Sequence, residues 1–261
     1  MKDAFGNKEA KFFDFPCGKC SQCKRNYQED WTTRLMMEAN IRKYCKFVTL
    51  TYSDDYVPVN SSFFMTLDVK DCQNFFKKLR KKGNVVRYYL LGEYGPHTLR
   101  PHYHFIMFSD IEVSYEDLVN SWDKGFVTVA NLTVGRMAYC SKHHLLPELP
   151  VTLDVIKPFV LMSRRPGIGC YYGLDPKFLQ WIQDDTSRNF TYVNGTKRRL
   201  PRYTKRQVFS INQQVINYET LIKKQDNEYR YLLSKGQRID VKSVEARNVE
   251  SIRRRSKNSK L

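Results

Sequence analysis

The chain has 261 residues, in which 44 Lys and Arg outnumber 27 Asp and Glu for a formal charge of +17, and 17 Tyr and 16 Phe lie interleaved with those cations. A chain of this length builds one full domain with additions or two small ones, and its charge and aromatics favour a polyanionic partner: each cation can displace a counterion from a phosphate, and each ring can stack on a base. Seven cysteines without framework spacing, a first 30 residues with no signal-like apolar stretch and no uncharged run near the roughly 18 residues of a membrane span argue against a disulfide scaffold and a membrane helix, and make a reducing cytosol the expected compartment.

After a polar, Phe-containing start comes PCGKCSQCK, with Cys17, Cys20 and Cys23 in C-x-x-C-x-x-C. Behind it Trp31, Leu35, Met36, Ala39 and Ile41 recur at helical spacing, which predicts a helix over about Asn26 to Lys43. KFVTLTY at 46–52 is a β-rich run closed by the turn cluster SDDYVP. Asp68 is the expected N-cap of a second helix, whose Val69, Cys72, Phe75, Phe76 and Leu79 form an apolar stripe ending at Gly83. VVRYYLLGEY and PHYHFIMF, joined by a loop with Gly95 and Pro96, read as an antiparallel hairpin. SYEDLVNSW, with Ser114 and Asp117 in a capping-box arrangement, predicts a short helix. GFVTVANL predicts a strand, and VGRMAYCSKHHL a helix stopped by Pro147. Helix, strand, helix, two strands, helix, strand and helix in that order imply an α+β domain, a mainly antiparallel central sheet with helices packed on it.

Beyond Pro158 the pattern weakens. FVLMSRRPGIG is followed by a short helix at PKFLQWIQ and by FTYVNGTKRRLPRY, where Asn194-Gly195 marks a tight hairpin. From Lys205 the chain reads as helical and ends in the basic, core-poor SIRRRSKNSKL. Residues 1–204 are therefore the expected domain, and 205–261 a basic, helical and mobile extension.

In a strand, side chains at i and i+2 share a face, so His102 and His104 project together while Tyr103 and Phe105 point the other way. Two imidazoles on one face of so apolar a strand are either core histidines or ligands of one ion, and their spacing favours the ion. Glu93, in the preceding strand, is the nearest third ligand, with His97 in the connecting loop as the runner-up. Imidazole plus carboxylate without a nearby thiolate suits Mg²⁺ or Mn²⁺ with positions open to a substrate oxygen, zinc being the alternative. In AYCSKHH, Tyr139 and Lys142 are three apart and share a helix face, so a phenol and an ammonium reach one spot. A structural tyrosine and a solvated lysine are the plain alternatives.

FVTLTY, RPHYHF and YCSK, in that order, resemble the first motif, the two-histidine second motif and the Tyr-x-x-Lys third motif of the HUH single-strand endonucleases. GEYG, nine residues before the first histidine, holds the place of that family's acidic metal ligand. The flanks PCGKCSQC and LMSRRPGIG are similar to segments of the replication initiators of gokushovirus-type microviruses, single-stranded DNA phages of bacteria, and the resemblance covers about residues 15 to 175. It implies an HUH endonuclease fold in which Tyr139 attacks single-stranded DNA at a viral origin, leaving a 5′-phosphotyrosine and a free 3′-hydroxyl, with a divalent ion on His102, His104 and Glu93. Lys142 would hold the phosphate or ease loss of the phenolic proton. One tyrosine in the motif implies a single-tyrosine mechanism, so closing a replicated circle needs a second active site or repeated use of the same one; dimerisation is left open. No G-x-x-x-x-G-K-[ST] motor motif occurs, so unwinding falls to a host helicase and extension to a host polymerase, in bacterial cytoplasm. A single-tyrosine transposase or relaxase, and a non-catalytic nucleic-acid-binding module, are the competing readings.

Other signals lie outside those motifs. Cys17, Cys20 and Cys23 could wrap a structural zinc with Cys45 or a distant histidine as fourth ligand, or remain free thiols; Tyr27 stands where a ferredoxin-type run has its fourth cysteine. Arg164 and Arg165, before Pro-Gly-Ile-Gly, could offer guanidiniums and loop amides to phosphates or form an exposed turn. Lys197, Arg198 and Arg199, with Arg202, Lys205 and Arg206 behind them, resemble a hairpin grip on DNA, and the Arg253 to Arg255 run would add salt-sensitive affinity.

Overall fold

The computed structural model describes residues 17–142 and 154–236. Five strands, β1 (Tyr44–Tyr52), β2 (Arg87–Tyr94), β3 (Pro101–Ser109), β4 (Gly125–Asn131) and β5 (Phe159–Met162), form one antiparallel sheet in the order β4-β1-β3-β2-β5. Around it lie α1 (Ser21–Asn40), α2 (Val69–Lys81), α3 (Tyr115–Ser121), α4 (Val134–Cys140), α5 (Cys170–Gly173), α6 (Pro176–Asp184), α7 (Arg202–Val208) and α8 (Ile211–Ser234), with a separate hairpin of β6 (Phe190–Val193) and β7 (Thr196–Arg199). This is the α+β architecture that the element order implies.

Strand alternation divides the core into two layers. On one face Tyr103, Phe105 and Met107 of β3 pack with Val48, Leu50 and Tyr52 of β1 against the Cys72, Phe75, Phe76 and Leu79 stripe of α2 and against Leu118 of α3. Asp68 starts α2 by accepting from the amides of Lys70 and Asp71 at 2.6 and 3.2 Å. On the other face Ile106 and Phe108 of β3, Phe47 of β1 and Tyr89 of β2 pack under Trp31, Leu35, Met36 and Met37 of α1, beside Met137 and Cys140 of α4. The histidines of β3 belong to this second face.

The expected helix at 26–43 begins five residues earlier and ends at Asn40, so the cysteine segment runs directly into its first turn. Ser114 caps α3 by accepting from the Asp117 amide, but the Asp117 carboxylate turns away to Lys82 and Asn84, so only half of the expected capping box forms. Gly125 enters β4 so close to β1 that a Cβ there would lie 2.3 Å from the Thr51 carbonyl oxygen. Asn194 and Gly195 both take positive φ, at 51° and 72°, which is the type I′ geometry of a two-residue hairpin.

β5 has no sequence signature: four consecutive apolar residues, none fully buried, become a strand only by pairing with the open edge of β2. The division expected at residue 204 falls inside α7, whose Thr204 and Val208 are buried, and Phe209 behind it joins the α1 core layer. α8 then starts with a complete capping box at Ser210 and Gln213. The stop at Pro147 and the Arg253 to Arg255 run lie outside the described residues. Among the described residues no helix is long and apolar enough to cross a membrane.

Candidate metal and nucleophile site

The register of the β2–β3 pair sets Glu93 directly opposite His102, and β1 sets Thr49 opposite His104 and Thr51 opposite His102. Glu93, His102 and His104 therefore converge, their ligand atoms all within 4.8 Å of one another. Each imidazole Nε2 lies 3.5 Å from Glu93 Oε1. His102 Nδ1 is 3.2 Å from the Arg100 carbonyl, which can only accept, so in its neutral form the ring carries its proton on Nδ1 and turns the Nε2 lone pair toward the carboxylate. His104 Nδ1 lies 2.8 Å from Thr49 Oγ1, and its ring stacks on Phe47 with centroids 5.3 Å apart. Burial and the neighbouring His102 push His104 down to about 4, so that ring is neutral. Burial raises Glu93, but hydrogen bonds from His102 and Tyr139 more than offset this and hold the carboxyl below its ordinary range, hence ionised.

This donor set fits a divalent cation. Nitrogen lone pairs and a carboxylate face one point, and outer hydrogen bonds orient both rings, as metal-ligating histidines require. His97, the alternative third ligand, is exposed in the hairpin loop and is not part of the cluster.

α4 brings the phenol. Thr133 caps its first turn by accepting from the Arg136 amide, and the helix packs on β2, β3 and α1. Against α1 it is held by the Gln28 side chain donating to the Ala138 carbonyl at 2.9 Å and by Thr32 and Ser141 hydroxyls 2.8 Å apart. Tyr139 consequently donates its hydroxyl to Glu93 Oε1, and its ring meets His104 edge-on at 5.3 Å. Burial and then the Glu93 charge push the Tyr139 phenol well above its ordinary value. Lys142 lies in the turn beyond the helix end rather than on the helix, yet its Nζ sits 3.7 Å from the Tyr139 ring centroid. Burial lowers the Lys142 ammonium.

The sequence-predicted residues Glu93, His102, His104, Tyr139 and Lys142 are thus brought together. Thr49, Gln28 and Thr32 were not singled out. Thr49 could have been found from the β1–β3 register, whereas the α1–α4 contacts carry no sequence signal.

The other predicted residues lie elsewhere. Arg164 and Arg165 are exposed, but the loop behind them is not a free amide cradle: Gly169 N donates to buried Glu38 at 2.7 Å, and the Pro166 and Gly167 carbonyls accept from Arg87. Lys197 and Arg199 lie exposed on β7, Lys197 Nζ 4.1 Å from the Phe190 ring centroid and Arg199 3.6 Å from Asp30, while half-buried Arg198 pairs opposite buried Thr191. Cys17, Cys20 and Cys23 cluster at the start of α1. Cys45, offered as their fourth ligand, stands at the opposite end of that 20-residue helix, its Sγ 3.7 Å from the Ala39 carbonyl, so it does not reach them.

A helix-borne tyrosine over a glutamate and two histidines on an antiparallel sheet is the layout that the motif order implies. Residues 45–144, which span β1 to α4 and hold every member of the site, match the model of the Replication-associated protein ORF2 family. The chain is 29% identical over 219 residues to Replication-associated protein ORF2 of Spiroplasma virus 4, covering 74% of this chain and 67% of that protein. It is 27% identical over 230 residues to Replication-associated protein ORF4 of Chlamydia phage 1, covering 78% and 56%, and 25% identical over 226 residues to Replication-associated protein VP4 of Bdellovibrio phage phiMH2K, covering 76% and 68%. The match thus spans about two thirds of two of these relatives and little more than half of the third. No solved structure matches the chain.

Proposed function

We propose that the chain initiates replication of a small single-stranded DNA phage genome in bacterial cytoplasm by cutting one strand at the origin through Tyr139. The observation that carries this reading is the placement of the Tyr139 hydroxyl on Glu93 Oε1, the oxygen that also faces both imidazoles. His102, His104 and Glu93 would hold a divalent cation, Mg²⁺ or Mn²⁺, which when bound neutralises charge on the scissile phosphate.

The remaining chemistry belongs to the chain. α4 positions the phenol, and the shared contacts with α1 keep it there. At rest the phenol is protonated and held by Glu93, so attack requires loss of that proton, and the Lys142 ammonium over the ring stabilises the phenolate that results. The phenolate oxygen forms a bond to phosphorus, the bond to the 3′-oxygen breaks, and that oxygen leaves as a hydroxyl after taking up a proton. The product is a 5′-phosphotyrosine and a 3′-hydroxyl that a host polymerase can extend. A phenolate leaves more readily than an alkoxide, so the step runs backwards to rejoin strands without ATP. Arg164, Arg165, Lys197, Arg198 and Arg199 would supply phosphate contacts, and a host helicase the unwinding.

Incubating the chain with single-stranded phage DNA and Mn²⁺ should give a mass shift that survives a denaturing gel. Tyr139→Phe should lose that adduct entirely while retaining DNA affinity. Absence of an adduct from the wild type, or one of normal yield from Tyr139→Phe, removes the reading.

A further inference from the structure

A second cluster of metal-ligating side chains lies apart from the first. Gly18 takes φ +73°, a left-handed turn that folds Cys17 back over the first turn of α1, where Cys20 is the N-cap residue and Cys23 follows on the helix. The three Sγ atoms lie within 4.8 Å of one another, and Cys17 and Cys23 are 3.8 Å apart. A tetrahedral zinc with Zn–S bonds of about 2.3 Å has an S–S edge of about 3.8 Å, so the sulfurs already stand at the spacing such an ion imposes.

Local backbone supports the same arrangement. The Cys20 amide donates to Cys17 Sγ at 3.3 Å, a bond that stabilises a thiolate there. Cys20 makes no side-chain cap, so its sulfur is not committed to the helix terminus. All three thiols are free, and Cys17 and Cys20 are exposed, an unusual location for a cysteine without a ligand-binding or covalent role. The position four residues beyond Cys23, where an iron–sulfur run would place its next cysteine, is Tyr27.

We propose that Cys17, Cys20 and Cys23 form a zinc site distinct from the Glu93 site, with a fourth position left to a water or an outside ligand. Ligand softness separates the two sites: three thiolates select a thiophilic ion, whereas the imidazole–carboxylate set also accepts harder ones. The zinc staples the first turn of α1, and α1 is the helix whose Gln28 and Thr32 hold α4 and so set the height of Tyr139 above the sheet.

Metal content of the full chain, purified under reducing conditions without added metal, tests this. One zinc equivalent should be present that survives His102→Ala with His104→Ala and is lost in Cys17→Ser with Cys23→Ser. Titrating the folded wild type with a mercurial should release that zinc as thiols are consumed, which needs no variant to fold. Less than a stoichiometric zinc in the wild type, zinc retained by the cysteine variant, or iron with acid-labile sulfide would each overturn the proposal. The readout is metal content, so it is independent of whether the chain cuts DNA.

Discussion

The two faces of the central sheet use the same strands for opposite ends. On the α2 face buried polar groups are shared out: the Tyr52 hydroxyl donates to Asp71 at 2.8 Å, the Asp68 amide donates to the Tyr103 hydroxyl at 2.8 Å, and Lys124 meets the other Asp71 oxygen at 2.6 Å. On the α4 face one carboxylate oxygen takes the Tyr139 hydroxyl and lies 3.5 Å from two imidazole nitrogens, so acceptors face acceptors. The first arrangement is complete as protein, and the second calls for a cation. Buried polar groups that satisfy one another stabilise a fold, whereas acceptors gathered around one point mark a site.

Substitutions should separate the faces. His102→Ala with His104→Ala should abolish divalent-ion binding and cleavage, read by Mn²⁺ titration and by the denaturing gel; full cleavage by that variant in chelator would erase the distinction. Phe75→Ala, on the other face, removes a ring packed against Phe76, Phe105 and Trp122 and should cost about 3–5 kcal/mol in urea unfolding while leaving the Mn²⁺ affinity of the folded protein unchanged. Thr49→Val keeps shape but deprives His104 Nδ1 of its partner, so Mn²⁺ affinity should fall about 10–100-fold with little change in unfolding midpoint. The smallest effect belongs to a position remote from both faces: Lys197→Ala should lower the salt slope of single-stranded DNA binding by roughly 0.7, measured by titration at several ionic strengths.

The division between the faces was largely legible in the sequence because strand alternation is local. Reading PHYHF at period two assigns His102 and His104 to one side and Tyr103 and Phe105 to the other without further information. The α2 stripe and its Asp68 cap were legible for the same reason, being written within one element. β5 was not, because its strand state is conferred by the free edge of β2 rather than by its own residues. The height of Tyr139 was equally hidden: it depends on Gln28 and Thr32, whose partners lie more than a hundred residues away. Lys142 kept its neighbour although its helix ended sooner than expected, since an i, i+3 pair stays close through a terminal turn.

Glu38 has a consequence for the order in which the molecule assembles. This carboxylate, fully buried near the end of α1, meets Arg87 at a sequence separation of 49 and the Gly169 amide at 131. A carboxylate is too costly to withdraw from water before its counter-charges arrive. During synthesis the second half of α1 must therefore keep a wet flank until β2 and then the 166–169 segment dock on it, which makes the sealing of this layer a late, non-local event.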